Sequence, residues 1–434
     1  MKKHTLPLIA ACTALGLAAT ACGADTTTAT GADLEGRTIE IVGPWSGSEQ
    51  ESFEQVLEVF EDRTGATVKY SGAADDLPTV LQTRIRGGDV PNVALVPQPG
   101  LIAQFVEADA LKPLSDDVVD ALDENMAGAW TDFGSVDGTP YGVYFKVANK
   151  SLVWYNDGVF AETGAETPET WDDFLGLSED LADVGLTPQS VAAADGWVLT
   201  DWFENVYLQT AGPEQYDRLA AHEIPWTDPS VAEALEKLAE LWGSEELIAG
   251  GTRGALQTDF PTSVTNVFND DPQASMVVGA DFIGTVVSAS TGATVGDGAR
   301  TFRFPAVGEN SDAVVVAGDA AVALKDDEAT MELLRFLASP EAASTWAGLG
   351  GFVSPNRNVP AEAYADELTG QIAEQVVRAG EDVRFDLSDL QPSAFGATVG
   401  GGMWQTLQDF FADPDDVDGA MERLEADAAR AHGK

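Results

Sequence analysis

Strand and helix patterns alternate along the first part of the chain. Short apolar runs with strand character at 38–43, 67–72 and 92–97 each precede a longer segment in which apolar residues recur at helical spacing. Strand, helix, strand and helix at this spacing are typical of an α/β lobe with a mainly parallel sheet. Ligands of such sheets usually lie beyond the carboxyl ends of the strands.

The first helical segment carries start and stop signals of its own. Ser48 and Glu51 predict a capping box at its beginning, and Gly65 predicts its end. The residues expected to face the core are Phe53, Val56, Leu57 and Phe60.

The remaining chain predicts further extended and helical segments. Residues 136–156 indicate extended segments around a turn, and helical periodicity dominates from Thr167, where Thr170 and Asp173 form a predicted cap. Residues 312–324 indicate two apolar runs separated by a Gly-Asp pair. The chain has 434 residues, which is enough for two or more lobes with substantial cores.

The N-terminus has the pattern of an export signal. Two lysines precede an apolar run at 6–19, and small residues then lead into Cys22. Residues 1–21 are therefore predicted to be a signal peptide. Cys22 has two interpretations, as the lipidated first residue of a bacterial lipoprotein or as an incidental neighbour of an ordinary cleavage site. Under the first, residues 22–36 are the lipidated cysteine and a flexible tether.

Composition limits the partners and the chemistry. The chain has 72 acidic and 23 basic residues and a net charge of −49, so nucleic acid and anionic membrane surfaces are poor partners. Removal of the signal would leave Cys22 as the one cysteine, so no intramolecular disulfide is expected. The acids are scattered along the sequence, which is typical of a solvated surface.

Several catalytic arrangements are excluded. The three histidines (His4, His222 and His432) form no metal-binding motif, and the sequence contains no Gly-x-Ser-x-Gly and no P-loop. We therefore expect no metal and no cofactor. A pair of carboxylates for glycoside hydrolysis stays open, because so many acids always offer one.

Aromatic residues outside the helical stripes, next to polar residues, are the most informative signal. A pyranose binds to flat rings through its C–H faces and to polar side chains through its hydroxyls. The sequence therefore predicts a neutral sugar as ligand, although core packing is an equal alternative for several of these rings and is favoured for Trp171, Trp242 and Trp346. The candidate rings are Trp45, Trp202, Phe282 and Trp404.

The order of motifs resembles the family 1 extracellular solute-binding proteins of ABC importers, in the branch for α-glucosides of actinobacterial lipoproteins. The resemblance covers about residues 37–429 and rests on stretches such as "LQTRIRGGDVPNVALVPQPGL", "VDGTPYGVYFKVANKSLVWYN", "AGDAAVAL" and "LRFLASPEAASTWAGLGGFVSPNRNV". It implies a two-lobed α/β fold of the type II periplasmic-binding-protein class, with a hinge and an interlobe ligand cleft. The implied lobe 1 is 37–145 with 300–350, and the implied lobe 2 is 146–299 with 351–434.

The resemblance also implies roles for particular positions. Trp45 and Gln98 are expected as lobe 1 contacts, Lys146 lies at the crossover, and Asp319 is expected on the hinge side. The expected lobe 2 contacts are Asp201, Trp202, Asp281, Phe282, Phe352 and Trp404.

These expectations combine into one functional hypothesis. The chain would be a monomeric substrate-binding protein, lipid-anchored at the extracellular face of the cell membrane, that captures an α-glucoside or related oligosaccharide. It would deliver that small-molecule sugar to ABC permease subunits without any enzymatic step. A secreted glycoside hydrolase and a sugar-sensing or adhesion module on the same scaffold are the alternatives.

Overall fold

A computed structural model describes residues 32–73, 77–308 and 312–433. The predicted signal peptide, Cys22 and most of the predicted tether lie outside the described residues. The strands are β1 Thr38–Gly43, β2 Thr67–Gly72, β3 Val93–Val96, β4 Ser135–Val136, β5 Thr139–Pro140, β6 Gly142–Asn149, β7 Leu152–Asn156, β8 Met276–Val278, β9 Ala299–Arg303, β10 Val314–Ala323 and β11 Val383–Phe385.

Helices cover most of the remaining chain. They are α1 Gly47–Thr64, α2 Leu77–Gly87, α3 Pro99–Glu107, α4 Asp116–Asn125, α5 Gly128–Phe133, α6 Asp157–Thr163, α7 Trp171–Asp183, α8 Gly196–Ala211, α9 Pro213–Ala220, α10 Pro229–Trp242, α11 Gly251–Ala255, α12 Phe260–Phe268, α13 Ile283–Ser290, α14 Glu328–Leu337, α15 Pro340–Ala347, α16 Glu367–Ala379, α17 Leu387–Leu390, α18 Ser393–Gly396, α19 Gly402–Ala412 and α20 Val417–Ala431. Among the described residues no helix is long and apolar enough to cross a bilayer.

The larger sheet defines lobe 1. Its strand order is β11-β10-β3-β1-β2, with β6 paired to β10 as well. The β1–β2 and β1–β3 pairs are parallel, which confirms the prediction from the alternating patterns, whereas β10 runs antiparallel to β3 and β6. The polar residues that follow β1 and β3 therefore lie at one edge of the sheet.

A smaller antiparallel sheet, in the order β8-β7-β9, belongs to lobe 2. The chain passes from the large sheet to the small sheet after β6 and returns between β9 and β10. After β11 it leaves the large sheet and continues as α17–α20. A second hydrophobic core surrounds α8, α10 and α19 in this lobe, separate from the core around the larger sheet.

Sheet membership corrects three predicted limits of the lobes. Residues 146–149 pair with β10 in the large sheet, although 146–299 were assigned to lobe 2. Residues 299–303 pair with β7 in the small sheet, although 300–303 were assigned to lobe 1. Residues 383–385 pair with β10 in the large sheet, although 351–434 were assigned to lobe 2. The other limits stay predictions.

Local signals have mixed outcomes. The predicted inward face of α1 is buried as expected, and Gly65 ends the helix with φ 73°. The Thr170 side chain accepts a hydrogen bond from Asp173 N, as predicted. The predicted capping box of Ser48 and Glu51 is wrong, because α1 begins at Gly47 and its N-cap residue is Ser46.

Candidate functional site

A β-bulge shapes the edge where β6 and β10 pair. The register shifts between Asp319 and Ala320, and Asp319 lies opposite Lys146. Gly318 permits this close approach, because a Cβ there would lie 2.9 Å from the carbonyl oxygen of Lys146. Lys146 on β6 and Asp319 on β10 are thus neighbours across the sheet. β10 is one continuous strand, where the sequence indicated two separate apolar runs.

Lys146 is the cation of this region. Its Nζ donates to Glu49 in the first turn of α1 and lies 5.8 Å and 5.7 Å from the ring centres of Trp45 and Trp346. Burial opposes its charge, but the carboxylates of Glu49 and Asp319 raise the pKa of Lys146. The ammonium group therefore stays charged between two aromatic rings and two carboxylates.

Asp281 contributes a carboxylate from lobe 2. It lies between β8 and α13, and its Oδ1 accepts a 2.6 Å hydrogen bond from the backbone N of Asn149. Burial raises the pKa of Asp281 to about 6, while the Asn149 N–H and the charge of Lys146 lower it. Lys146 therefore interacts with carboxylates from both lobes.

An open pocket of about 400 Å³ lies beside these charges. Glu49 and Trp346 line it from lobe 1, and Asp281 and Thr285 line it from the opposite side. Phe352 also borders the pocket, but its side chain is 1% exposed, because its ring stacks on Trp346 with centroids 5.1 Å apart. Carboxylates and a hydroxyl next to aromatic surface suit a solute that has apolar faces and many hydroxyl groups.

A second aromatic group lies on lobe 2. The ring of Trp197 is 5.1 Å from that of Phe260 and 6.0 Å from that of Phe282. Trp404 packs against Gly196, where a Cβ would approach the Trp404 Cβ to 2.4 Å. Of the predicted contacts, Phe282 therefore lies against Trp197, and Trp404 packs against the residue before it.

Gln98 connects lobe 1 to the C-terminal part of the chain. It is the N-cap residue of α3, and its Nε2 donates a 3.0 Å hydrogen bond to Asp389 Oδ1 on α17. Burial and the nearby charge of Asp386 raise the pKa of Asp389 to about 8. Gln98 was predicted to contact the ligand, and that role stays a prediction; in this structure its amide nitrogen is held by Asp389.

The position of Trp202 in the structure contradicts its predicted role. Its side chain is 1% exposed, and its ring packs against Phe174, Trp242 and Phe304 in the lobe 2 core. The predicted stacking of Trp202 on a sugar is therefore wrong for this structure. The physical reason is that α8 is buried on almost every side, so its polar neighbours in sequence do not indicate a surface.

Trp45 lies at the site without presenting an open face. It is 3% exposed, and the rings of Phe53 and Trp346 cover it at centroid distances of 4.9 Å and 4.8 Å. Its Nε1 donates a 3.0 Å hydrogen bond to Asp319 Oδ2. In this structure Trp45 therefore positions the Asp319 carboxylate, and does not stack on a ligand as predicted.

Asp201 is also removed from the predicted set, because it belongs to a buried ionic cluster. It is 1% exposed, and its Oδ1 accepts a 2.9 Å hydrogen bond from Lys150 Nζ. Lys150 also donates to Asp386, immediately after β11. This lysine lies just after β6, so its ion pairs join two passages between the lobes to α8.

The site residues selected from the sequence did not include Glu49, Trp197 or Lys150. Glu49 had a sequence signal, because it lies in the first turn of α1, the helix that follows the carboxyl end of β1. Trp346 was assigned to the core, and it is both buried and at the edge of the pocket. Lys150 had no local signal, since its partners are 51 and 236 residues away.

Asp281 gives a pH-dependent prediction. An unfolded aspartate has a pKa of about 3.9, so the folded protein, with its higher pKa, binds this proton more tightly. As the pH rises from about 4 to about 6, wild type should lose about 2 kcal/mol of stability relative to Asp281→Asn, with no further change above about pH 7. Asparagine retains an oxygen for the Asn149 N–H.

Urea unfolding of both proteins at about pH 4.5 and about pH 7.5 measures this difference. A difference in unfolding free energy that is the same at both pH values would show that burial does not act on the Asp281 charge.

Comparison with known proteins decides the family. Residues 46–344 match the family described as bacterial extracellular solute-binding protein, which is more than half of the chain. The chain belongs to this family. It is therefore a substrate-binding component of an ABC transporter, acting outside the cytoplasm, and it is not an enzyme.

Two related proteins match over most of their length. The osmoprotective compounds-binding protein GgtB of Synechocystis sp. is 36% identical over 88% of this chain and 90% of its own. The alpha-glucosides-binding periplasmic protein AglE of Rhizobium meliloti is 33% identical over 88% of this chain and 84% of its own.

Solved structures show the same fold. The bacterial solute receptor AcbH superposes with a TM-score of 0.75 at 20% identity, covering 91% of this chain and 98% of that one. RafE from Streptococcus pneumoniae superposes with a TM-score of 0.74 at 18% identity, covering 91% and 97%. The two-lobed α/β fold of type II periplasmic binding proteins is therefore confirmed.

Proposed function

We propose that this protein captures a neutral sugar, an α-glucoside or a related oligosaccharide, between its lobes and delivers it to a membrane permease. One observation carries the proposal: the pocket between Glu49 and Trp346 on one side and Asp281 on the other. Carboxylates accept hydrogen bonds from sugar hydroxyls, and the aromatic surface contacts the C–H faces of the ring. The relation to an alpha-glucosides-binding protein supports the substrate class.

The site residues act from both lobes in this proposal. Lys146 and Asp319 hold polar groups of the sugar at the large sheet, Asp281 and Phe282 act from lobe 2, and Phe352 supplies an apolar edge. Gln98 and Trp404 would contact a longer oligosaccharide. A ligand that contacts both lobes favours their closed arrangement, which the permease would recognise.

A thermal-shift screen over neutral monosaccharides and oligosaccharides tests the substrate class. A ligand that binds only the folded protein raises the melting temperature, and at about one hundred times its Kd it adds about 2.7 kcal/mol. We expect α-glucosides to give the largest shifts. Equal shifts for uronic acids or for amino acids would count against a neutral sugar.

Lipid anchoring through Cys22 is part of the same proposal. A diacylated or triacylated cysteine gives stable attachment, which keeps the protein near its permease. Replacing Cys22 by alanine in the full chain should move the protein from the membrane fraction to the medium. Immunoblots of both fractions measure this, and a variant that stays in the membrane fraction would contradict lipidation at Cys22.

A further inference from the structure

The ionic cluster around Lys150 contains more negative than positive charge. Besides Asp201 and Asp386, the carboxyl group of Glu204 lies in it, at 0% exposure, and Asp389 follows at its edge. One ammonium group therefore faces four carboxyl groups in a buried region. Uncompensated charge of this kind is costly, so the cluster needs further positive charge.

Two carboxylate oxygens in this cluster have no hydrogen-bond donor. Glu204 Oε1 accepts from Ser388 N at 3.0 Å, and Asp201 Oδ1 accepts from Lys150. The other oxygens, Asp201 Oδ2 and Glu204 Oε2, are fully buried and accept no hydrogen bond within the described residues. Lys150 therefore does not satisfy the cluster, and the two free oxygens require either a proton or a cation.

We propose that Asp201, Glu204 and Asp386 bind a hard divalent cation, Ca²⁺ in particular, at the junction between the lobes. Each residue offers one carboxylate oxygen, and these oxygens lie within 4.8 Å of one another. Oxygens that bind Ca²⁺ lie about 2.4 Å from the ion, so two oxygens on opposite sides of it are about 4.8 Å apart. An all-oxygen donor set without histidine or cysteine selects Ca²⁺ or Mg²⁺ over zinc or copper.

A cation in this cluster would link segments that are far apart in the sequence. The three carboxylates come from α8 and from the residue after β11, while Lys150 follows β6. A bound cation would neutralise the two oxygens that lack donors and would join these segments. The site is separate from the sugar pocket, so the proposal does not depend on which solute is bound.

Calorimetric titration of the EDTA-treated mature protein with CaCl₂ tests the proposal. We expect one equivalent to bind with a submillimolar Kd at about 0.15 M NaCl and about pH 7.5, where exposed carboxylates are screened. Saturation should raise the melting temperature by about 3 °C. Parallel titrations with MgCl₂ show which of the two ions the site prefers.

Two variants locate the site. Glu204→Gln keeps the shape and the acceptor for Ser388 N but removes a charge, and it should lose the bound equivalent and the thermal shift. Asp326→Asn, which removes an exposed charge on the surface, should retain both. Wild-type protein that binds neither Ca²⁺ nor Mg²⁺ would overturn the proposal and leave protons as the neutralising charge. Equal Ca²⁺ binding by folded Glu204→Gln would also overturn it.

Discussion

Replacing Lys150 by alanine is expected to lower the free energy of unfolding by about 3 to 5 kcal/mol. The ammonium group has 8% side-chain exposure and contacts two carboxylates that are each 1% exposed. Its removal leaves both negative charges buried without their counter-ion. The Trp197 ring lies 5.6 Å from Lys150 Nζ, and α8 is buried on most sides, so solvent has little access to these charges.

Urea unfolding in the presence of EDTA measures this loss without any contribution from divalent cations. Lys237→Ala is the matched control, since Lys237 forms a partly exposed pair with Glu240 at 2.9 Å. Such pairs contribute about 0 to 1 kcal/mol. A loss below about 1 kcal/mol for Lys150→Ala would show that the cluster does not hold the lobes together.

Replacing Asp319 by alanine is expected to weaken sugar binding by at least about tenfold. Hydrogen bonds to charged groups contribute about 1.5 to 3 kcal/mol, which corresponds to a factor of about 10 to 150. The change also removes the acceptor of Trp45 Nε1 and one of the carboxylates that faces Lys146. Both effects act on Trp45 and Lys146, next to Glu49 and Trp346 at the edge of the pocket.

Calorimetry with the sugar that gives the largest thermal shift measures the loss. Asp312→Ala is the control, because the Asp312 side chain is 95% exposed and lies just before the same strand. Affinity within threefold of wild type in folded Asp319→Ala would place the sugar away from Asp319 and Lys146.

Periodicity predicted the secondary structure of lobe 1 well. Phe53 and Phe60 repeat at helical spacing, and their burial needs only the nearest sheet as partner. The bulge at Asp319 could not be predicted, because it depends on pairing with a strand about 170 residues earlier in the chain. The sequence signal for β10 therefore appeared as two runs.

The candidate site was predicted only in part, because its residues also come together through long-range contacts. Lys146, Asp281 and Asp319 meet because three separate chain passages converge at the lobe junction, and their resemblance to family positions located them. Trp202 was misplaced because an aromatic residue beside acids has the same local pattern in a cleft and in a helix buried on most sides. The burial of Trp202 against Phe174, Trp242 and Phe304 distinguishes the two cases, and these contacts are long-range.

Titration of the unmodified mature protein with maltose, trehalose, sucrose and raffinose, followed by chromatography of each sugar, tests the central claim most directly. The account predicts that at least one of these α-glucosides binds with one site per chain, and that the sugar is recovered intact because binding involves no covalent step. Absence of binding to all four, together with binding of an anionic or non-carbohydrate solute, would contradict it.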